Sequence, residues 1–240
     1  MRNRKKIRDM IYVSRPNSLN CFYSYGIEFH EFMNCMDKRP ENLLLLKHHF
    51  DSAQWNMHSR FDYVTEQEIE ELMEDNIYGY GDFCWVDFSK ESDLDALSAA
   101  DIAELLYFAH LAKPLHAIPK ERFAYFAHDD GWFNKLYVTD LNDYKILLAK
   151  IIVSKHKRLT GKQMNDIPMD IASMLLEYTG GGLIIDLARI TMGTKEIAIP
   201  LSQIGHYTDM DHVCEMRAEI SDYKAWLVYS NKSWKLIKTD

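Results

Sequence analysis

Three pairs of strand-like segments in the second half of the chain, each joined by a short turn, constrain the fold more than any other feature. In each pair, β-branched and aromatic residues flank a few residues rich in Gly, Asp, Asn or Ser. Such residues supply the backbone geometry of tight turns, and strands joined by a tight turn pair antiparallel. The pairs are 122–127 with 133–138, 183–190 with 196–200, and 225–229 with 234–237. The sequence therefore predicts a mainly antiparallel sheet.

Helical patterns occur in separate runs from these hairpins. Thr65 with Glu68 predicts a capping box at the start of one helix, and Ser98 with Asp101 predicts a second N-terminal cap. Further helices are expected from about 142 to 157 and in a segment ending at Tyr178, before three glycines. Separate runs of helices and hairpins predict an α+β fold, with an antiparallel sheet packed against several amphipathic helices.

One more helix is predicted to begin at Pro40, because Pro is favoured in the first helical turn. Apolar residues follow at three- and four-residue steps, as they do on one face of a helix. These residues are Leu43, Leu46, Phe50, Ala53 and Met57.

Length and composition set the expected domain organisation. Gly and Pro together account for only 16 of 240 residues, so connections should be short and the chain densely folded. We expect a basic N-terminal tail over 1–10 and a single domain over 11–240. The basic stretch 155–162 is the candidate position for an internal boundary.

The cysteines and the apolar segments indicate a cytoplasmic protein. The four cysteines are widely spaced and form no C-x-x-C pair, which is typical of buried thiols in a reducing compartment. The apolar stretch 105–112 is far shorter than the roughly 20 residues that span a bilayer. We therefore expect no contact with a membrane.

Acidic residues are concentrated between 62 and 104, where fourteen Asp or Glu side chains face a single base, Lys90. The first eight residues carry five Lys or Arg side chains, and the whole chain has a formal net charge of −8. A concentrated negative field attracts basic partners and repels the phosphate backbone of nucleic acids. We therefore expect a basic protein partner and no nucleic-acid partner.

Aromatic residues alternate with these acids. They either point into the core and leave the acids as a solvated face, or lie exposed as anchors of an interface. The second arrangement predicts a non-catalytic protein-binding module, inhibitor- or immunity-like, that presents the acidic surface 62–104 to a basic partner. The expected partner-binding residues are Glu70, Glu71, Glu74, Tyr78 and Tyr80.

The segment 206–212 offers an alternative, a metal-dependent hydrolase. Its two imidazoles and two carboxylates suit a divalent ion, which would activate water. The hairpin tip near 128–130 could complete the ligand set. The candidate ligands are His128, Asp130, His206, Asp209, Asp211 and His212. Turn chemistry explains the same residues without a metal, and the leading hypothesis includes no cofactor.

Other catalytic patterns are missing from the sequence. The glycines at 180–182 follow a helix, whereas a phosphate loop precedes one, and no Gly-x-Ser-x-Gly elbow occurs. A regulatory small-molecule pocket is a third possibility, and no sequence pattern locates such a pocket. The sequence favours a protein without catalytic activity.

Overall fold

The computed structural model describes residues 9–16, 21–47, 49–75, 81–108, 121–128, 133–193 and 196–239. These residues contain thirteen strands and seven α-helices. The strands are β1 (Met10–Ser14), β2 (Cys21–Tyr25), β3 (Asn42–Leu45), β4 (Gln54–Trp55), β5 (Asp62–Thr65), β6 (Phe83–Phe88), β7 (Phe123–His128), β8 (Phe133–Val138), β9 (Leu183–Asp186), β10 (Thr191–Met192), β11 (Glu196–Gln203), β12 (Ala225–Ser230) and β13 (Ser233–Lys238). The helices are α1 (Phe29–Cys35), α2 (Glu66–Glu74), α3 (Glu91–Asp95), α4 (Ala99–Phe108), α5 (Leu141–Thr160), α6 (Met169–Thr179) and α7 (Met210–Glu219).

The strands pair antiparallel and the helices occur in separate runs, which confirms the predicted α+β fold with its mainly antiparallel sheet. The chain forms two compact units. The terminal unit comprises Met1–Ser18, Phe22–Asp37 and Asn142–Asp240, and the central unit comprises Leu19–Cys21 and Lys38–Leu141. The stretch 155–162 lies within the terminal unit, and the single-domain expectation stays a prediction.

In the terminal unit the strands follow the order β13-β12-β11-β9-β1-β2, and β10 pairs with β11. The strands β1, β9 and β11 lie inside this order, and Ile11, Ile185 and Ile199 are fully buried. Helix α5 contributes Tyr144, whose ring stacks on Phe22 with the centroids 3.5 Å apart. Aromatic and branched residues on adjacent strands thus form the core of this unit.

In the central unit the order is β8-β7-β6-β3-β5-β4, so the two-residue strand β4 lies at one end. The core here joins strand residues such as Leu44 and Val86 to helix residues such as Leu94 and Leu105. All six residues of β6 are buried, as expected for an apolar strand between two neighbours.

Two of the three predicted hairpins form as expected. Strands β7 and β8 pair from Phe123 with Val138 to His128 with Phe133. Strands β12 and β13 are joined at Asn231 and Lys232, whose φ angles of 51° and 61° are those of a two-residue hairpin turn.

The segment 183–190 is not one strand, contrary to the prediction. Strand β9 ends at Asp186, and a 3-10 turn follows at Leu187–Arg189. The Asp186 carboxylate accepts a hydrogen bond from the Ala188 N–H at 3.1 Å, which ends the strand and starts this turn. The shorter strand β10 then forms the hairpin with β11.

The prediction of a helix that begins at Pro40 is wrong. Residues Asn42–Leu45 form strand β3, which pairs with β5 on one side and β6 on the other. Leu43, Leu44 and Leu45 are all buried, which a strand covered on both faces permits and an amphipathic helix does not. Met57, expected in the core, is instead 80% exposed.

The helices predicted from capping signals all form, and their bounds agree with the sequence to within a few residues. No helix in the part of the chain that the structure describes is long and apolar enough to cross a membrane.

Candidate partner-binding surface

The acidic helix α2 begins with the capping box that the sequence predicts. The Thr65 N–H donates to the Glu68 carboxylate at 2.8 Å, and the Thr65 hydroxyl donates to the same group. These hydrogen bonds hold the pKa of Glu68 below its usual value. Ile69 and Leu72 are buried, so the helix is fixed on the sheet with its carboxylates outward.

Three predicted partner-binding residues lie on this outward face. Glu70, Glu71 and Glu74 are exposed, and Glu70 forms an ion pair with Arg39. Within the described residues Glu71 and Glu74 have no ion-pair partner. Both are therefore available to an incoming cation.

The described aromatic residues of the acidic segment are buried, whereas the binding hypothesis expected exposed ones. Five of them belong to the core, which agrees with the alternative in which the acids form a solvated face. The buried residues are Phe61, Tyr63, Phe83, Trp85 and Phe88. Tyr78 and Tyr80 lie outside the described residues.

Two apolar side chains just before the acidic segment are exposed, and the sequence did not indicate them. The exposed fractions are 52% for Trp55, on the end strand β4, and 80% for Met57, in the turn that follows. On the predicted helix, Trp55 would have lain opposite the apolar face containing Met57. That off-face tryptophan was the available signal of exposure.

A carboxylate lies directly across the strand pair from Trp55. Trp55 is opposite Asp62 in the pairing of β4 with β5, so the two side chains share one face of the sheet. Asp62 lies 2.7 Å from Nδ1 of His49. This contact raises the pKa of His49 above its usual value, because the carboxylate stabilises the imidazolium.

Further carboxylates surround the hydroxyl of Tyr63. This hydroxyl donates to Gln54 at 2.9 Å, and the Gln54 amide donates to Glu68 at 3.1 Å. Burial, reinforced by the negative charges of Glu91, Glu68 and Asp95, raises the pKa of Tyr63 to about 12. Glu68, Glu91 and Asp95 therefore all act on the Tyr63 hydroxyl.

One acid of the segment is buried and has a structural role. Asp87 accepts hydrogen bonds from the backbone N–H groups of Arg122 and Phe123, and from the Arg122 side chain at 2.8 Å. Burial raises the pKa of Asp87, and these hydrogen bonds oppose the rise. A cavity of about 300 Å³ beside this pair is lined by Lys38 and Glu41, which pair with each other.

The histidines and aspartates of 206–212 make local contacts in the terminal unit. Nδ1 of His206 lies 2.7 Å from the Ser14 hydroxyl, and the Asp209 side chain caps α7 by accepting from the Asp211 N–H at 2.7 Å. Nδ1 of His212 lies 3.5 Å from Oδ2 of Asp209, and Asp211 is exposed. The structure therefore brings Asp209 and His212 together, while His206 bonds to a strand.

The remaining candidate metal ligands belong to the central unit. Nδ1 of His128 lies 2.7 Å from Asp82, and Asp130 lies outside the described residues. Among the residues that the structure describes, no group of three or more His, Cys, Asp or Glu side chains is arranged to hold a metal ion. The metal site stays a prediction, and the contacts above account for the side chains of His128, His206 and Asp209.

A cavity of about 410 Å³ in the terminal unit bears on the small-molecule hypothesis. Its lining consists mostly of charged and polar residues, among them Lys162, Glu196, Tyr229 and Asn231, and has few apolar residues. Small-molecule pockets are mostly apolar with a few directed polar groups, which differs from this lining.

Comparisons with protein-family models, with curated proteins and with solved structures found no match.

Proposed function

We propose that the protein is a non-catalytic protein-binding module, inhibitor- or immunity-like, whose acidic central-unit surface binds a basic partner. The observation that carries this proposal is the outward row of carboxylates on α2, in which Glu70, Glu71 and Glu74 are all exposed. Charges concentrated on one surface steer an oppositely charged partner and raise its association rate.

The cysteines support a cytoplasmic location for this module. The four cysteines, all of which lie in the described part of the chain, form no disulfide with one another, and Cys21, Cys35 and Cys84 are buried. Burial raises the pKa of Cys35 to about 11, so this thiol is mainly protonated and unreactive near neutral pH. Reduced buried thiols are typical of a reducing compartment.

The test reverses the two exposed glutamates, Glu71→Lys with Glu74→Lys. Its probe is a fluorescent twelve-residue peptide of alternating lysine and serine, with association measured by stopped flow at low and high salt. We expect the variant to lower the association rate about tenfold at low salt, because steering contributes about 10 to 1000-fold. At 0.5 M salt the two proteins should differ little, because the field is screened.

A matched control makes the same charge change elsewhere. Glu215 and Glu219 are exposed on α7 of the terminal unit, and reversing both leaves the acidic central-unit surface intact. We expect this control to keep the association rate within about twofold of wild type. Equal losses in the two variants would mean that only net charge matters, and would overturn the proposal.

A further inference from the structure

The strand β4 and the turn after it present an apolar pair that folding leaves uncovered. Trp55 and Met57 are mostly exposed, whereas the described aromatic residues of the acidic segment are buried. Burying a tryptophan removes roughly 150–250 Å² from water, so leaving one exposed forgoes a large stabilisation. Trp and Met are also enriched in protein interfaces, and Trp is enriched at the positions that dominate binding.

Hydrogen bonds hold the backbone under Trp55 in place. On its N-terminal side, Gln54 accepts from the Tyr63 hydroxyl and donates to Glu68. Tyr63 is itself buried in the core, so this contact fixes the strand to the body of the unit.

The turn that carries Met57 is equally constrained. Asn56 is buried, its amide donates to Asp95 at 2.8 Å, and its side-chain oxygen accepts both the N–H and the hydroxyl of Ser59. The Arg60 N–H donates to the Asn56 carbonyl at 2.9 Å, which closes the turn. A contact surface fixed in this way loses little conformational entropy on binding.

The charge of the chain segment that carries this apolar pair indicates the chemistry of its occupant. Residues 51–75 carry eight carboxylates against one arginine, Arg60, and Asp62 shares a face with Trp55. An acidic or neutral segment would gain nothing from this field, whereas lysines and arginines flanking an apolar side chain match it.

We propose that Trp55 and Met57 are the anchor of the binding surface, and that the partner segment places an apolar or aromatic side chain, flanked by Lys or Arg, against them. This inference rests on the proposed function and adds to it the position of the contact and the composition of the partner. The carboxylates attract the segment, and the apolar pair determines how long it stays bound.

The experiment uses the full chain and two synthetic peptides. The anchor peptide alternates lysine and serine around a central tryptophan, and the plain peptide has serine at that position. Affinities are measured by fluorescence anisotropy at two salt concentrations. Wild type should bind the anchor peptide about tenfold more tightly than the plain one, which is the scale of one buried aromatic contact.

Variants assign this difference to one site. Trp55→Ala should remove the tenfold preference and leave the affinity for the plain peptide and its salt dependence unchanged. Trp55→Phe should keep most of the preference, since it retains an aromatic ring. The matched control is Ile237→Ala, because Ile237 is 50% exposed on β13 of the terminal unit, and it should behave as wild type.

The outcomes separate this inference from the function on which it rests. If neither peptide shows salt-dependent binding, the proposed function fails and the anchor fails with it. If the plain peptide binds with salt dependence but the anchor peptide binds no tighter, only the anchor is overturned. A preference that survives in Trp55→Ala, with thermal unfolding unchanged, overturns it as well.

Discussion

The buried ion pair of the terminal unit gives the sharpest stability prediction. Nζ of Lys155 lies 2.8 Å from one oxygen of Glu31, and the side chains of Lys155 and Glu31 are 1% and 9% exposed. The other oxygen of Glu31 lies 2.8 Å from the half-exposed Arg158. The Glu28 N–H also donates to Glu31, at 3.0 Å. Burial lowers the pKa of Lys155, and the charge of Glu31 opposes that effect.

Substituting Glu31→Gln keeps an oxygen for the Glu28 N–H but leaves the Lys155 ammonium buried without its anion. Breaking a buried pair in this way costs about 3–5 kcal/mol. The cost has a ceiling, because the lysine can lose its proton. At pH 7, about 3.4 pH units below its usual pKa, that ceiling is about 4.6 kcal/mol. We therefore expect a loss of about 3 to 4.6 kcal/mol in the free energy of unfolding.

The ceiling makes the loss depend on pH. In Glu31→Gln the folded-state pKa of Lys155 lies well below its unfolded value, so the unfolded state binds more protons and stability rises with pH. At pH 9 the ceiling falls to about 1.9 kcal/mol, so the variant should recover up to about 2.7 kcal/mol relative to a protein without the lysine.

Urea unfolding at pH 7 and pH 9, followed by both fluorescence and circular dichroism, measures these differences. The control without the lysine is the double variant Glu31→Gln with Lys155→Met, which replaces the buried ammonium by an apolar side chain of similar length. It should be more stable at pH 7 than Glu31→Gln alone, and the gap should narrow at pH 9 to no more than about 1.9 kcal/mol. A gap that is absent at pH 7, or equal at both values, would refute the reasoning.

Two further predictions concern backbone and charge. Gly182 has φ +72° and an added Cβ would lie 1.7 Å from the Gly205 carbonyl oxygen, whereas Gly81 has φ +68° and open space around it. Both Gly→Ala variants should lose about 1 kcal/mol of unfolding free energy, because alanine disfavours the left-handed backbone. Thermal unfolding should show a further loss of at least about 2 kcal/mol for Gly182→Ala, from the steric clash. Equal losses in the two variants would contradict the steric account. NMR titration should give His49 a pKa above the usual 6.5. The Asp62→Asn variant should lower this pKa toward 6.5, because the Asp62 carboxylate is the main partner that stabilises the imidazolium. A His49 pKa that the substitution leaves unchanged would exclude Asp62 as the cause.

The elements that the sequence predicted correctly are those decided by local chemistry. The Thr65–Glu68 capping box and the turn at 230–233 each depend on residues within four positions of one another. A hydroxyl three residues before a carboxylate is a sequence signature of a helix N-terminus, because each group can bond the backbone N–H of the other. Such signals predict where elements begin and end, and they established the α+β class.

The errors arise where distant residues decide the structure. Leu43 to Leu45 form a strand because β5 and β6 pair with them on either side, and no residue near position 43 reports those partners. The Asp186 carboxylate, which starts the turn after β9, also forms an ion pair with Arg217, thirty-one residues away. Long-range pairing overrode local periodicity at 43–45.

The same distinction explains the candidate surface. Local amphipathicity correctly placed Glu70, Glu71 and Glu74 outward, because the opposite face of α2 carries Ile69 and Leu72. It did not locate the anchor, because Trp55 lies on β4 at the end of the central-unit order and not on the predicted helix. That order is a property of the whole sheet.

The fold explains the candidate metal ligands better than it explains the exposed apolar pair. His206 bonds to Ser14 and Asp209 caps α7, so both have roles that need no substrate. Trp55 and Met57 contribute little to the core of their unit, although the turn that carries them is fixed by hydrogen bonds. Apolar side chains that stay exposed stabilise the free protein less than the same side chains would if they were buried. This difference is the reason that the proposed contact with a partner is located at β4 and its turn and not at the histidines.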